Sequence, residues 1–450
     1  MDAHKHASTA TSQSRIALMF RALGHRNYRL FAAGQLVSLT GSWMQSVAQA
    51  WLVYRLTDSA ALLGLVGFAS QIPVFLLASF GGAFADRFDR RRILIIAQSV
   101  AMMLAISLAT LTLTGSVEVW HVFVLASLLG VVNAFDIPTR QSFLVELVGK
   151  ADLFNAISLN SSMVNAARMI GPAIAGVLIV TLGEGWVFFI NALTYCAVLA
   201  GLLMIRIARK NRERQTQSTW VSIAEGFRFA WQKRPIRGLL LLLGLIGLTG
   251  MPYAVLMPIF ADRILGGGPD ALGLLMSASG IGALTGALTL AARRNVYGLG
   301  RWVAVAASGF GICLILFSLS RSFWLSAVIL IVTGFMMMVE MSASNTLIQT
   351  MVPDKLRGRV MAVYSMMFMG MAPLGALVGG MLAESIGAPL TVMFGGSMCM
   401  LGGVVFAVAL PKLRGEARQM ILAQEMTAGS PANAVAGVNA MLPATDKRRT

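Results

Sequence analysis

Charge is what this sequence has least of. Asp, Glu, Lys and Arg make up 12% of the 450 residues, against 57% for apolar ones, whereas soluble domains carry about 25% charged residues. So few charges cannot cover a water-facing surface, which excludes an ordinary soluble enzyme or binding module. Histidine is equally sparse. His4, His6 and His25 lie near the N-terminus and His121 borders an apolar block, so no serine inside a block has a histidine base in reach. No His–Glu–His or Cys–His cluster suggests a metal site. Cys196, Cys313 and Cys399 stand singly inside apolar blocks, without the spacing of a disulfide framework. No GxxxxGK[ST] run is present, so ATP is not the expected energy source. The sequence reads as a non-enzyme without catalytic residues, metal or cofactor.

What is present is apolar length. A bilayer core of about 30 Å takes about 20 helical residues. Twelve blocks qualify, at 28–54, 60–85, 92–114, 119–138, 154–182, 186–206, 238–261, 271–292, 301–320, 323–349, 358–384 and 388–410. The expected fold is therefore an all-α membrane protein with 12 transmembrane helices. The net charge of +17 would suggest nucleic acid in a soluble protein, but 32 of the 36 basic residues fall on one side of the blocks and only Arg55, Arg263 and Arg321 on the other. By the positive-inside rule both termini should be cytoplasmic, in a multi-pass protein of the plasma (inner) membrane. No secretory signal is seen at the N-terminus.

The blocks divide into two related halves. The stretch VELVGKADLFNAISLNSSMVNAARMIGPAIAG after block four and QTMVPDKLRGRVMAVYSMMFMGMAPLGALVGG after block ten share one pattern of polar loop, long helix, proline and small residues. The reading is a cytoplasmic segment 1–27, a six-helix half 28–206, a cytoplasmic loop 207–237, a second six-helix half 238–410 and a cytoplasmic tail 411–450. Within the loop, Trp220, Ile223, Phe227 and Trp231 recur at helical spacing, as in an amphipathic helix lying in the interface. The tail is rich in Ala, Gly, Pro and Asn, a composition expected to be disordered.

The most specific motif joins blocks two and three: Gly82-Ala-Phe-Ala-Asp86-Arg87-Phe-Asp-Arg90-Arg91. With the twelve blocks, the long central loop and the paired halves, it resembles the GxxxDRxxRR loop of the major facilitator superfamily, over about residues 15–410. The resemblance implies a major facilitator fold of two pseudo-symmetric halves, a monomer with a small-molecule substrate and membrane lipid as partners, and no nucleic acid. It implies that Asp86 caps the start of the eleventh helix near Gly358 and Arg359, and that Arg90 pairs with an acid ending the fourth, for which Asp136 is the candidate. Such contacts would latch a cytoplasmic gate. Gly82 would let two helices approach closely. The pattern departs at Asp89, where the family usually has glycine. The segment NAFDIPTRQSFLVELV onward resembles the subgroup of the enterobactin (siderophore) exporter and macrolide-type drug efflux proteins. That resemblance implies proton-driven export by alternating access.

Polar residues inside the blocks supply the candidate site. Gln35, Ser38, Ser42, Gln45 and Gln49 share one helix face, suited either to a watery cavity or to interhelical hydrogen bonding. Asn155, Ser158, Ser161, Asn165, Arg168, Pro172 and Gly176 form a second stripe. Arg168, deep in its block, is a functional candidate by its charge alone, or a structural ion-pair partner. Glu340 is the only acid well inside any block, with Thr333, Met337 and Ser344 on its face. Burial without a partner leaves a carboxyl able to take up a proton, and a nearby Arg168 would make the two a switch between the halves. Substrate or proton coupling is thus assigned to Glu340, Arg168, Asn165, Gln45, Gln49 and Met337. The gate is assigned to Gly82, Asp86, Arg87, Arg90, Arg91, Asp136 and Arg140, with Pro138 expected to break the fourth helix and Arg140 to bond the freed carbonyls. The expected function is proton-coupled export of a siderophore or amphipathic drug-like molecule. The alternative is an importer or facilitator of a small nutrient on the same fold.

Overall fold

The structure is a computed structural model that describes residues 20–206, 219–293 and 298–427. Those residues form helices joined by short turns. We label the long helices α1 Arg26–Thr57, α2 Ala60–Arg87, α3 Arg90–Leu113, α4 Val119–Val148, α5 Leu153–Leu182 and α6 Glu184–Met204 in the first half. The second half holds α7 Arg234–Leu245, α8 Pro269–Ala291, α9 Leu299–Leu319, α10 Phe323–Met351, α11 Asp354–Ile386 and α12 Ala388–Thr427. Eleven described helices are long and apolar enough to cross a membrane. The eleven do not include α1. It has 32 residues, but Gln35, Ser38, Ser42, Gln45 and Gln49 dilute its apolar content.

The packing repeats with a step of six helices. In the first half α1 packs on α5 and α6, α2 on α4, and α3 on α4 and α6. In the second, α7 packs on α11 and α12, α8 on α10, and α9 on α10 and α12. The halves meet along α2–α11 and α5–α8, and adding six to either pair yields the other. Small residues allow these contacts, because helix association in lipid depends on close backbone approach rather than on hydrophobic burial. A Cβ on Gly176 would lie 2.9 Å from the Asp270 Cα, and one on Gly280 would lie 2.9 Å from the Arg168 carbonyl oxygen.

Three expectations change. The fourth helix does not end at Pro138 but runs on to Val148. A proline removes one N–H, and neighbouring groups can absorb that loss within a bundle. Here Thr139 Oγ1 donates to the Phe135 carbonyl at 2.6 Å. The Ala134 carbonyl, which Pro138 cannot bond, is packed so tightly by Gly81 of α2 that a Cβ there would collide with it. Arg140 bonds Asp136 rather than a freed carbonyl. Second, residues 411–427 are not an irregular tail: α12 continues to Thr427. Leu410, Leu413, Ala417 and Ile421 form a helical stripe that packs on the core of the second half, a period that the composition of 411–450 as a whole hides. The rest of the tail, like residues 207–218, lies outside the described residues. Third, Gly82 has nothing within 4 Å of a Cβ built on it. The helices touch at Gly81 instead.

The seventh segment is bent, as Pro252 and Pro258 suggest. After α7 it passes through π-helical turns at Ile246–Gly250 and Phe260–Ile264, with short α turns between them. The connector helix Thr219–Gln232 lies against α11. Gly226 and Ala230 are its buried face, while Phe227 and Trp231 stack on each other and stay exposed, as an interfacial helix requires. The side chains of Trp220 and Ile223 lie outside the described residues.

The two adjacent glycines of α2 give a paired prediction. Gly81→Ala should lower the apparent melting temperature of the purified protein, since overpacking costs about 1–3 kcal/mol. Gly82→Ala should leave it unchanged or slightly raised, because alanine is the better helix former by roughly 1 kcal/mol. Equal melting of the two variants would contradict this packing.

Candidate functional site

The cleft between the halves is closed at one end and open at the other. The closed end lies opposite the basic Arg87–Arg92 loop. There the Tyr54 hydroxyl donates to Asp262 Oδ2, Arg263 pairs with Asp58, and Glu384 accepts from Ser59 Oγ at 3.0 Å and from the Ala61 N–H at 3.1 Å. Each of these contacts joins one half to the other. Toward the basic end, the same helix faces separate. On α5 the stripe is covered at Gly176 and Pro172 by Gly273 of α8, yet Ser158 and Ser161 further along are exposed. On α2, Gly64 packs on Gly380 of α11, yet Gln71, Ser79 and Asp86 are exposed and Gly82 faces open space. A polar helix face is costly against lipid, so these residues mark a water-accessible route leading in from the basic end.

The loop between α2 and α3 is built on Arg90. Its guanidinium reaches Glu146 Oε1 at 3.0 Å, the Ser142 carbonyl at 3.1 Å, the Ala85 carbonyl at 3.3 Å and Asp86 Oδ1 at 3.2 Å. The acid that pairs with Arg90 is therefore Glu146, one helical stretch beyond the expected Asp136. The continuation of α4 past Pro138 is what carries Glu146 there. Arg91 donates to the Leu202 and Leu203 carbonyls at 2.6 and 2.9 Å, capping the end of α6, which has no internal donors for its last carbonyls. Asp89, the departure from the family pattern, accepts from the Arg92 N–H at 3.3 Å and caps α3. Arg87 is exposed. Among the described residues Asp86 makes no bond to the start of α11. That start is held by the connector helix, through an ion pair between Arg359 and Glu225 and the packing of Gly226 on the Arg359 backbone.

Each half encloses one acid midway along a helix, Asp136 in the first and Glu340 in the second; the first half's other buried acids, Asp152 and Glu184, stand at helix ends. Asp136, 2% exposed, pairs with Arg140 and accepts from Gln98 Nε2 at 2.8 Å. Both sit on a cavity of about 30 Å³ that Gln35, Ser38, Ser42 and Tyr195 also line, room enough for a water. Gln98 Oε1 and Arg140 Nε face no protein partner, so polar groups there await one. The α1 stripe thus points into the first half. Gln45 continues it, accepting from Asn191 Nδ2 of α6 at 2.6 Å, and is interhelical glue rather than cleft lining. Gln49, one turn on, is half-buried.

Glu340 is 0% exposed. Ser344 Oγ donates to its Oε1 at 3.0 Å, while Oε2 has no partner. Tyr364 of α11 and Cys399 of α12 lie within electrostatic reach of it. The two acids are equivalents: each stands 17 residues into its helix, counted from Val119 and from Phe323. Tyr195 and Cys399 correspond likewise, both 11 residues into α6 and α12, counted from Glu184 and Ala388. Where the first half has Arg140 four residues after its acid, the second has Ser344.

Arg168 and Glu340 are not joined. Among the described residues Arg168 makes no ion pair, and its guanidinium lies 5.6 Å from the centroid of the Trp43 ring, a cation–π contact. Glu340 faces the interior of its own half. Asn165 Nδ2 donates to the Ser161 carbonyl of its own helix at 2.9 Å. Met337 is buried in the second half's core, and neighbouring methionines fill gaps left by glycines, Met336 against Gly309 and Met371 against Gly247, as a flexible thioether can. Sequence reasoning missed Gln98, a lone amide in an apolar run, and the pair Asn191 and Tyr195, whose four-residue spacing was the signal that could have found them. Their partners lie on other helices, which only the packing shows.

A family described as transmembrane secretion effector matches residues 18–436. The chain is 27% identical to the staphyloferrin A transporter of Staphylococcus aureus, over 86% of this chain and 97% of that one. It is 30% identical to the multidrug efflux pump Tap of Mycolicibacterium fortuitum, over 86% of this chain and 95% of that one. Among solved structures, that of the nucleoside transporter NupG superposes with a TM-score of 0.66 at 14% identity, covering 86% of this chain and 99% of that one.

The open cleft is testable by labelling. In a background without native cysteines, Ser158→Cys and Ser161→Cys should react with a membrane-impermeant maleimide offered from the basic side. Ala175→Cys, on the buried stretch of the same helix, should not. Equal reactivity at all three positions would refute a cleft closed at the opposite end.

Proposed function

The chain belongs to the major facilitator superfamily of transporters, and from that premise we propose that it exports a siderophore or an amphipathic drug-like molecule in exchange for protons. In this reading α1 is the twelfth span, both termini and the basic loops face the cytoplasm, and the closed end of the cleft faces outward. The transporter is a monomer of the plasma membrane. The solute enters from the cytoplasm past Ser158 and Ser161 and meets Arg168 and Trp43 midway along the cleft. An aromatic ring with a guanidinium beside it suits a flat or anionic ligand.

The observation that carries the proton coupling is Glu340 Oε2. It is the one carboxyl oxygen, among the described residues, that is buried with no hydrogen-bond partner. A bare charge there is expensive, and a proton removes it. Asp136, the shorter acid at the corresponding place, is already compensated by Arg140 and Gln98. Proton gain and loss at Glu340 alters the packing of α10 against α11 and α12, and α11 is also a helix of the inter-half contact. The site therefore has a mechanical connection to the rocking of the halves. The export direction is supported by relatives named as a multidrug efflux pump and as an enterobactin exporter.

Inverted vesicles carrying a pH-sensitive dye test this. Addition of a transported drug or siderophore should dissipate an imposed proton gradient. Glu340→Gln, neutral at every pH, should reduce active accumulation to the background of vesicles lacking the protein while sparing downhill exchange. Active efflux at the parent rate in Glu340→Gln would overturn the assignment. Loss of both activities in a well-folded variant would make Glu340 structural.

A further inference from the structure

A second cavity lies far from the cleft, at the basic face of the second half. It measures about 500 Å³, within the range of small-molecule sites. Its walls come from α7, α9, α10 and the extension of α12 and are largely apolar, Phe406, Leu410 and Leu413 among them. Its charged lining is of one sign: Arg301, Arg414 and Arg418. Among the described residues none of these arginines makes an ion pair and no carboxylate lines the cavity. The nearest acid of the extension, Glu416, is occupied by Arg234 at 3.7 Å.

The location follows from helix length. The 40 residues of α12 make a rod of about 60 Å, twice the hydrocarbon thickness of about 30 Å. Residues near 410 therefore reach the level where acyl chains give way to headgroups. Apolar walls lie on the membrane side of that level and the three guanidinium groups at it. The ligand that matches is itself apolar at one end and anionic at the other.

We infer that this cavity is a binding site for an anionic phospholipid, its acyl chain against Phe406, Leu410 and Leu413 and its phosphate held by Arg301, Arg414 and Arg418. Basic pockets between helices at a membrane face recognise such headgroups. Guanidinium forks match the phosphate geometry. Bound there, the lipid bridges α9 to the extension of α12, which explains why the last helix outlasts the bilayer. The proposal depends on neither the substrate nor the coupling ion.

Native mass spectrometry of the full-length protein titrated with dioleoylphosphatidylglycerol or dioleoylphosphatidylcholine tests it. The anionic lipid should be retained and the zwitterionic one lost. Replacing the three arginines by glutamine (R301Q/R414Q/R418Q) should weaken retention at least about tenfold, since each basic residue at a membrane surface contributes about a factor of five. The corresponding lysine variant should keep most of it, which separates loss of charge from misfolding. Leu413→Trp, which fills the groove and leaves the charges, should also lower retention without lowering the melting temperature. Equal retention of both lipids, or full retention by the glutamine variant, overturns the proposal. A photoreactive side chain at Leu410 that crosslinks to residues 428–450 or to a second copy of the chain, rather than to lipid, does so as well.

Discussion

Close backbone contact between the two halves governs this molecule. In lipid there is no hydrophobic gain in bringing one apolar helix against another, so association relies on van der Waals fit and hydrogen bonds. The halves meet through Gly64 against Gly380 on one side and through Gly176 and Gly273 on the other. Such contacts are short-ranged, so they can hold firmly at one end of the helices and be absent at the other. In the proposed mechanism that property lets two rigid bundles rock against each other. The polar ties at Asp58, Asp262 and Glu384 add to the grip at the closed end, where exposed ion pairs are worth little on their own but gain from the packed backbone beneath them.

The same economy explains the interior of each half. A polar group facing lipid is costly, so the amides and hydroxyls of α1 turn inward, where Asn191, Tyr195 and Gln98 meet them. Asp136 and Glu340 then differ in side-chain length and in their neighbours, of which the residue four places on is one. Asp136 has a guanidinium one turn away, and Glu340 has a hydroxyl. The first arrangement satisfies both carboxylate oxygens and fixes α3 to α4; the second leaves one oxygen over. One half supplies rigidity, and the other keeps an unsettled group beside a helix of the inter-half contact.

Much of this was legible in the sequence, because bilayer thickness turns composition into helix length. Block positions, paired halves and the bend at Pro252 and Pro258 follow from the chain alone, and so does the isolation of Glu340. What was not legible depends on which helix lies beside which. The guanidinium of Arg90 could have met Asp136 or Glu146, and only the continuation of α4 through Pro138 decides for Glu146. The polar stripe of α1 could have faced the cleft or its own half, a choice that Asn191 and Gln98 settle from other helices. Arg168 and Glu340 belong to opposite halves, and a sequence has no ruler for the gap between them. The helical end of 411–427 was hidden for another reason: an amphipathic stretch was averaged with a polar remainder.

The equivalence of Asp136 and Glu340 means that the fold carries its own reference state. The two halves share one packing pattern, and at corresponding places the first carries Asp136 with Arg140 and Gln98 while the second carries Glu340 with Ser344. Arg140 shows a fixed counter-charge beside an acid at that place in the helix; in the second half Ser344 stands beside a glutamate without one.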